Sequence, residues 1–138
     1  MISSLMMEHR LGKSVHQVYD CLIDPQKFER FHPVIYRMDP IGQSTYLVHE
    51  KLGLLGLKVN FTYTAKIAEQ PTQNKVEMSA RVFGLVNLDI QFIITPQQDG
   101  CLVSECIQIR SSLPLAWAMK PVFKKQHTLL FEAIGAQA

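Results

Sequence analysis

The residues best placed to do chemistry in this chain are carboxylates that fall where apolar side chains belong. Residues 101–111 read as a strand in which Val103, Ile107 and Ile109 share one face, and Glu105 shares it with them. An unpaired charge on a buried face is costly, so Glu105 needs a partner, a proton or a wet cavity. As a pocket carboxylate it would orient a ligand or work as a general acid/base. A β-bulge that turns it to solvent is the expected outcome, because bulges are common in curved sheets. His49 and Glu50 pose the same problem. They are adjacent in a strand, so alternation puts one of them on the inner face without saying which. Either joins Glu105 as an acid/base candidate, with Tyr63 as a hydrogen-bond donor.

Two further polar groups fall on the C-terminal helix. Gln126 sits inside an apolar stripe, where its amide either serves a ligand as donor and acceptor or is satisfied by a strand backbone. His127, at the edge of that stripe, reads as a boundary histidine rather than a base. His9, His16, His32, His49 and His127 show no H-x-x-x-H spacing, so no metal site is expected, and no cofactor is implied. The L-G-L-L-G-L run at 52–57 lacks the Lys-Ser/Thr of a phosphate loop and precedes a strand, so it reads as a hairpin connection that gates a pocket. No G-x-S-x-G occurs. Cys21, Cys101 and Cys106 include no C-x-x-C, and an odd count leaves a thiol free in any pairing, which suits the cytoplasm. Cys106 falls on the outer face and Cys101 at a strand start, neither beside a base in sequence.

The elements that must position these groups follow from period and punctuation. Residues 2–10 suit a first strand. Ser14 is an N-cap for a short helix with Val15, Val18, Tyr19, Leu22 and Ile23 on one face. Asp24-Pro25 starts a second helix that buries Phe28 and Phe31 and closes at His32-Pro33. The period then shifts to two, predicting strands near 34–40, 44–52, 57–69, 75–84, 86–96 and 101–111, with turn residues between them. Residues 114–134 return to helical period, and Pro121 should kink or restart that helix.

The chain's 138 residues suit one domain over 1–138, and 47% hydrophobic with 19% charged residues argues against disorder. No internal repeat or low-complexity tract divides it. The net charge of +2 is too small an excess to neutralise a run of phosphates, so nucleic acid is not an expected partner. Glu8, His9 and Arg10 arrive too early for a signal-peptide core, and no stretch nears ~20 uninterrupted apolar residues, so neither export nor stable membrane insertion is expected.

The order β-α-α-β6-α, with S-V-H-Q-V-Y-D-C-L-I-D-P-Q-K-F at 14–28, F-H-P at 31–33 and L-P-L-A-W-A-M-K-P-V-F-K-K-Q-H-T-L-L-F in the last helix, resembles the START-like superfamily, also called SRPBCC or Bet v 1-like, and its bacterial polyketide cyclase/dehydrase-type members. The resemblance covers nearly the whole chain. It implies an α+β helix-grip fold, in which a curved seven-stranded antiparallel sheet wraps a long C-terminal helix around an internal apolar cavity. Members bind lipids, sterols, polyketides or hormones, and some are cyclases or hydrolases. The matching motifs cap and pack, so they carry no catalytic residue across.

Alternation assigns the inner face. Val59, Phe61, Tyr63, Ala65 and Ile67 point inward from one strand, Val76, Met78, Ala80 and Val82 from the next, and Leu88, Ile90, Phe92 and Ile94 from the third. The helix adds a stripe of Leu115, Met119, Val122, Phe123, Leu130, Ala133 and Ile134. The expected ligand-binding set is Phe31, Tyr46, Val48, Phe61, Tyr63, Met78, Ala80, Phe92, Glu105, Ile107, Met119, Phe123 and Gln126. Binding of a small hydrophobic or amphipathic ligand, for transport or sensing, is the leading expectation, for a chain that is a monomer or weak homodimer. The alternative is a cyclase, dehydratase or hydrolase acting on a polyketide- or lipid-like substrate in the same cavity. Trp117 and Phe131, on the polar side of the helix, suggest a cover for the cavity mouth, a dimer or protein contact, or a membrane contact.

Overall fold

A computed structural model describes residues 2–54 and 56–137, with residue 54 described by its backbone alone. The chain begins with β1 (Ile2–Leu11), α1 (Val15–Ile23) and α2 (Pro25–Phe31). Six more strands follow: β2 (Ile35–Gly42), β3 (Thr45–Leu54), β4 (Leu57–Gln70), β5 (Lys75–Val82), β6 (Val86–Gln97) and β7 (Gly100–Ser111). The last element is α3 (Ala116–Ala136). All seven strands join one antiparallel sheet in the order β1-β7-β6-β5-β4-β3-β2. The connection read at 53–56 includes residue 55, which lies outside the described residues.

Local chemistry starts α1 and α2 where the sequence placed them. Ser14 accepts from the Gln17 amide while the Gln17 side chain accepts from the Ser14 amide, a reciprocal capping box. Asp24 caps α2 through the amides of Gln26 and Lys27, and Pro25 takes the first helical position. At the β6–β7 turn, Gly100 has φ +152°, and a Cβ there would lie 1.9 Å from the Leu11 carbonyl oxygen. Only glycine lets the end of β1 pass this close.

Three expectations need correction. Helix α3 runs unbroken through Pro121, so of the two expected outcomes, a kink or a restart, the restart is absent. Packing along the helix outweighs the lost hydrogen bond, whose local cost is about 3 kcal/mol. Strand β5 ends at Val82, two residues early, because Phe83 and Gly84 both adopt positive φ to turn the chain into β6. Phe131, expected on the polar side of α3, is buried, with its ring stacked on His9 at 4.2 Å and tilted on Phe92 at 5.8 Å. The sheet curves far enough for β1 to flank the helix, so α3 buries more than the single stripe its sequence shows.

The interior has a solid half and a hollow half. Val18, Leu22, Phe92, Val103, Leu130 and Ile134 fill the solid half between α1, the sheet and the C-terminal part of α3. Val82, Val86, Leu88, Ile107 and Ile109 form a second cluster under the N-terminal part of α3, against Met119 and Phe123. That second region is not filled to its centre.

Candidate functional site

The hollow half encloses a cavity of about 270 Å³, walled by β3 to β6 and the first turns of α3. Its lining includes Leu52, Phe61, Val82, Phe83, Val86, Leu88, Leu115, Met119, Val122 and Phe123. A smaller, deeper lobe of about 60 Å³ continues toward α2, past Val48, Met78, Ala80, Phe92 and His127. Glu50, Tyr63, Leu88, Phe123 and Gln126 line both lobes, so they stand at the junction.

Three of those junction residues are polar. The Tyr63 hydroxyl donates to Glu50 Oε1 at 3.1 Å. Burial pushes the Glu50 carboxyl above its ordinary range, against the Tyr63 hydrogen bond and the His127 charge, which act downward. Burial, followed by the charge and hydrogen bond of Glu50, holds the Tyr63 phenol well above its usual range. Gln126 is buried, and its side-chain amide has no hydrogen-bond partner among the described residues. Neither a strand backbone nor a neighbouring side chain uses its donor and acceptor.

A second buried polar centre lies deeper. Glu105 is 1% exposed and its ladders to β1 and β6 are regular, so the expected bulge is absent. The carboxylate stays on the inner face because two imidazoles meet it there. His9 Nε2 donates to Oε1 at 3.0 Å, and His127 Nδ1 donates to Oε2. Burial alone would raise the Glu105 pKa, but the hydrogen bonds from His127 and His9 overcome it and hold the carboxyl below its ordinary value. His127, expected at a boundary, is therefore a buried partner of Glu105, and its ring meets His32 edge-on at 6.2 Å. His32 Nδ1 accepts from the amides of Val34 and Ile35, which requires a bare lone pair on that nitrogen. Burial first, and the nearby His127 second, depress the His32 pKa to about 3.

The structure brings together only part of the expected set. Phe61, Tyr63, Met119, Phe123 and Gln126 line the main cavity, while Val48, Met78, Ala80 and Phe92 line the deeper lobe. Glu50 is the inward member of its strand pair. His49 faces the other side of the sheet, where Nε2 bonds Asp39 at 2.9 Å, so it leaves the acid/base candidates. Phe31 and Tyr46 pack against the solid half rather than the cavity. Ile107 is core beneath the cavity, and Glu105 touches the pocket only through His127. Val59, read as inward, is exposed near the open end of β4.

His9 and His32 escaped the sequence reading as members of a site. The alternation of Leu5, Met7, His9 and Leu11 on the inner face of β1 was the available signal for His9. The residues of the buried centre come from β1, α2, β7 and α3, which are remote in sequence. Among the described residues no group of His, Cys, Asp and Glu side chains has the arrangement of a metal site.

Comparison with known proteins agrees with this architecture. A family model described as polyketide cyclase / dehydrase and lipid transport matches residues 11–133. No curated protein sequence matches the chain. Among solved structures, Ara h 8.0201 superposes with a TM-score of 0.80 at 10% identity, covering 98% of this chain and 96% of the other. The di-domain ARO/CYC StfQ of the steffimycin biosynthetic pathway gives a TM-score of 0.77 at 12% identity, covering 99% of this chain and 50% of the other. A norcoclaurine synthase point mutant from Thalictrum flavum, solved with a transition-state analogue, gives 0.73 at 11% identity, covering 98% and 92%. At these identities the likeness is one of fold, the helix-grip fold.

Proposed function

The chain belongs to the polyketide cyclase / dehydrase and lipid transport family, and from that premise we propose that its cavity takes up one small hydrophobic or amphipathic molecule. The observation that carries this reading is an apolar space of about 270 Å³ with Glu50, Tyr63 and Gln126 gathered at its inner end. That volume lies near the lower edge of the usual range for ligand sites, about 300–1,000 Å³, so the ligand is small. Apolar walls supply affinity, and the unbonded Gln126 amide with the Glu50–Tyr63 pair supplies orientation.

The polar cluster also selects. Glu50 is a buried carboxyl with no Lys or Arg partner, so a ligand carboxylate beside it would crowd two acidic groups into a poorly solvated space with no cation to offset them. A hydroxyl, phenol or amine instead donates to it. The proposed ligand is thus an apolar molecule with one hydrogen-bond donor rather than a fatty acid. The three cysteines, unpaired in the structure, support a reducing location such as the cytoplasm, and the 138 residues act as one unit, monomeric or weakly dimeric.

One observation favours a second reading, an enzyme of the cyclase, dehydratase or hydrolase kind. Glu105 holds His127 through Nδ1, and His127 shares the deeper lobe with Glu50 and Tyr63. A carboxylate-oriented imidazole and a hydrogen-bonded carboxyl around one space are what acid/base catalysis requires.

Native mass spectrometry of protein purified without detergent tests the binding reading. Wild type should carry a single small adduct, or take up added 2-naphthol, and Ala118→Phe, which fills the outer lobe, should do neither. Equal uptake by both proteins, or none by wild type, overturns it. A co-purified molecule released chemically altered, and unaltered from His127→Gln, would select the enzyme reading instead.

A further inference from the structure

The mouth of the cavity lies at one end of the sheet. Antiparallel order brings the β3–β4 turn, the β5–β6 turn and the β7–α3 joint to that end. The side chains displayed there are those a soluble surface avoids: Trp117 is 77% exposed, Leu57 70% and Phe83 65%, with Leu85 and Leu113 about half exposed. Phe83 also lines the cavity, and Trp117 lies between the cavity residues Leu115 and Ala118, so the apolar rim is continuous with the pocket. Exposed apolar groups clustered in this way mark an interaction site.

Charge indicates what covers it. No Asp or Glu occurs in residues 51–68, 78–88 or 106–131, the segments that carry the rim, and Glu29 of α2 is the carboxylate bordering Lys51 and Lys58. The same segments carry eight cations, Lys51, Lys58, Lys66, Arg81, Arg110, Lys120, Lys124 and Lys125, all but the half-buried Lys120 exposed. The whole chain has a formal charge of only +2, so the cations are segregated rather than abundant. Separate bulky apolar tips ringed by cations match the headgroup and upper acyl layer of an anionic bilayer. No helix among the described residues is long and apolar enough to cross a membrane, so such contact is peripheral.

We propose that this rim docks the protein on an anionic lipid surface, with Trp117, Phe83 and Leu57 entering the interface and Lys58, Arg81 and Lys120 meeting the headgroups. An apolar ligand then passes between bilayer and cavity without crossing water. An acidic partner protein is the competing occupant, but it would favour one contiguous apolar face over separated tips.

Trp117 is the single tryptophan of the chain and reports directly. With phosphatidylcholine vesicles containing phosphatidylserine, at low salt, its emission should shift to the blue and be quenched by bromine-labelled acyl chains. Phosphatidylcholine alone should leave it unchanged, and high salt should reverse the shift. The double variant Lys58→Glu/Lys120→Glu should weaken partitioning at least about tenfold with its melting temperature retained, since each cation is worth about a fivefold factor at such a surface. Phe83→Ser, followed by the Trp117 signal, should weaken it as well. No shift on anionic vesicles overturns the proposal, as does a shift produced by an acidic carrier protein and not by vesicles. Vesicle binding that survives Ala118→Phe separates this inference from the ligand reading, which that variant abolishes.

Discussion

Glu105 on β7 and His127 on α3 are bonded to one another through the floor of the deeper lobe, with His9 of β1 on the second carboxylate oxygen. One buried carboxylate thus ties together three elements, with His9 96 residues before it and His127 22 residues after it. Breaking such a pair leaves an uncompensated buried charge or unsatisfied rings. Glu105→Ala should cost about 3 kcal/mol, read as a lower urea midpoint at unchanged slope. A midpoint equal to wild type would show that the centre adds nothing to stability.

The buried His32 ring makes the protein acid-sensitive. The unfolded chain takes a proton on His32 near its ordinary value of 6.5, while the folded chain resists until about 3. Between these values the unfolded state binds more protons, so stability falls as pH drops from 6.5 toward 3, by on the order of 5 kcal/mol in all. Glu105, with its carboxyl held below the ordinary range, adds acid loss of the same sign. In His32→Asn the side-chain oxygen can still accept from the Val34 and Ile35 amides, and the slope of melting temperature against pH between 4 and 6.5 should flatten. An unchanged slope would move the origin of the acid loss elsewhere.

Glu50 sets which ligand is accepted. Against 2-naphthol, Glu50→Leu should bind about tenfold more weakly than wild type, because a hydrogen bond to a buried carboxyl is lost. Against naphthalene the same variant should bind as well or better. Titration by ligand fluorescence checks both, and parallel losses for the two ligands would indicate a reshaped cavity rather than a lost hydrogen bond.

Gly100 is irreplaceable on steric grounds. A methyl group there meets the Leu11 carbonyl at 1.9 Å, on backbone that cannot swing away because β1 is paired along its full length with β7. Gly100→Ala should lower stability by about 2–4 kcal/mol, whereas Gly53→Ala, where a Cβ meets nothing within 4 Å, should be close to neutral. Comparison of the two melting temperatures checks the contrast.

Most of the fold was legible because its signals are local. Ser14 and Asp24 cap from adjacent residues, hairpin turns announce themselves through Gly and Asn, and period two sorts Phe61, Tyr63 and Met78 inward from any register. Glu50 and His49 could not be sorted in that way, since neighbouring polar residues leave the phase of the strand undefined. The Met38–Val48 and Val48–Tyr63 pairings across β2, β3 and β4 set that phase and sent His49 to the outer face.

The chain's sequence by itself determined the order of elements, most of the apolar faces of β4, β5 and β6 and the family resemblance, because capping, turn geometry and alternation act within a few residues. Tertiary structure alone decided that Glu105 is a paired interior anion, that Phe131 and His127 are buried, and that Gln126 faces the cavity without a partner. Those outcomes depend on how tightly the sheet curves around α3 and on which side chains from β1, β7 and α3 then meet. Burial and charge pairing are properties of that closure, and no window of sequence contains both partners.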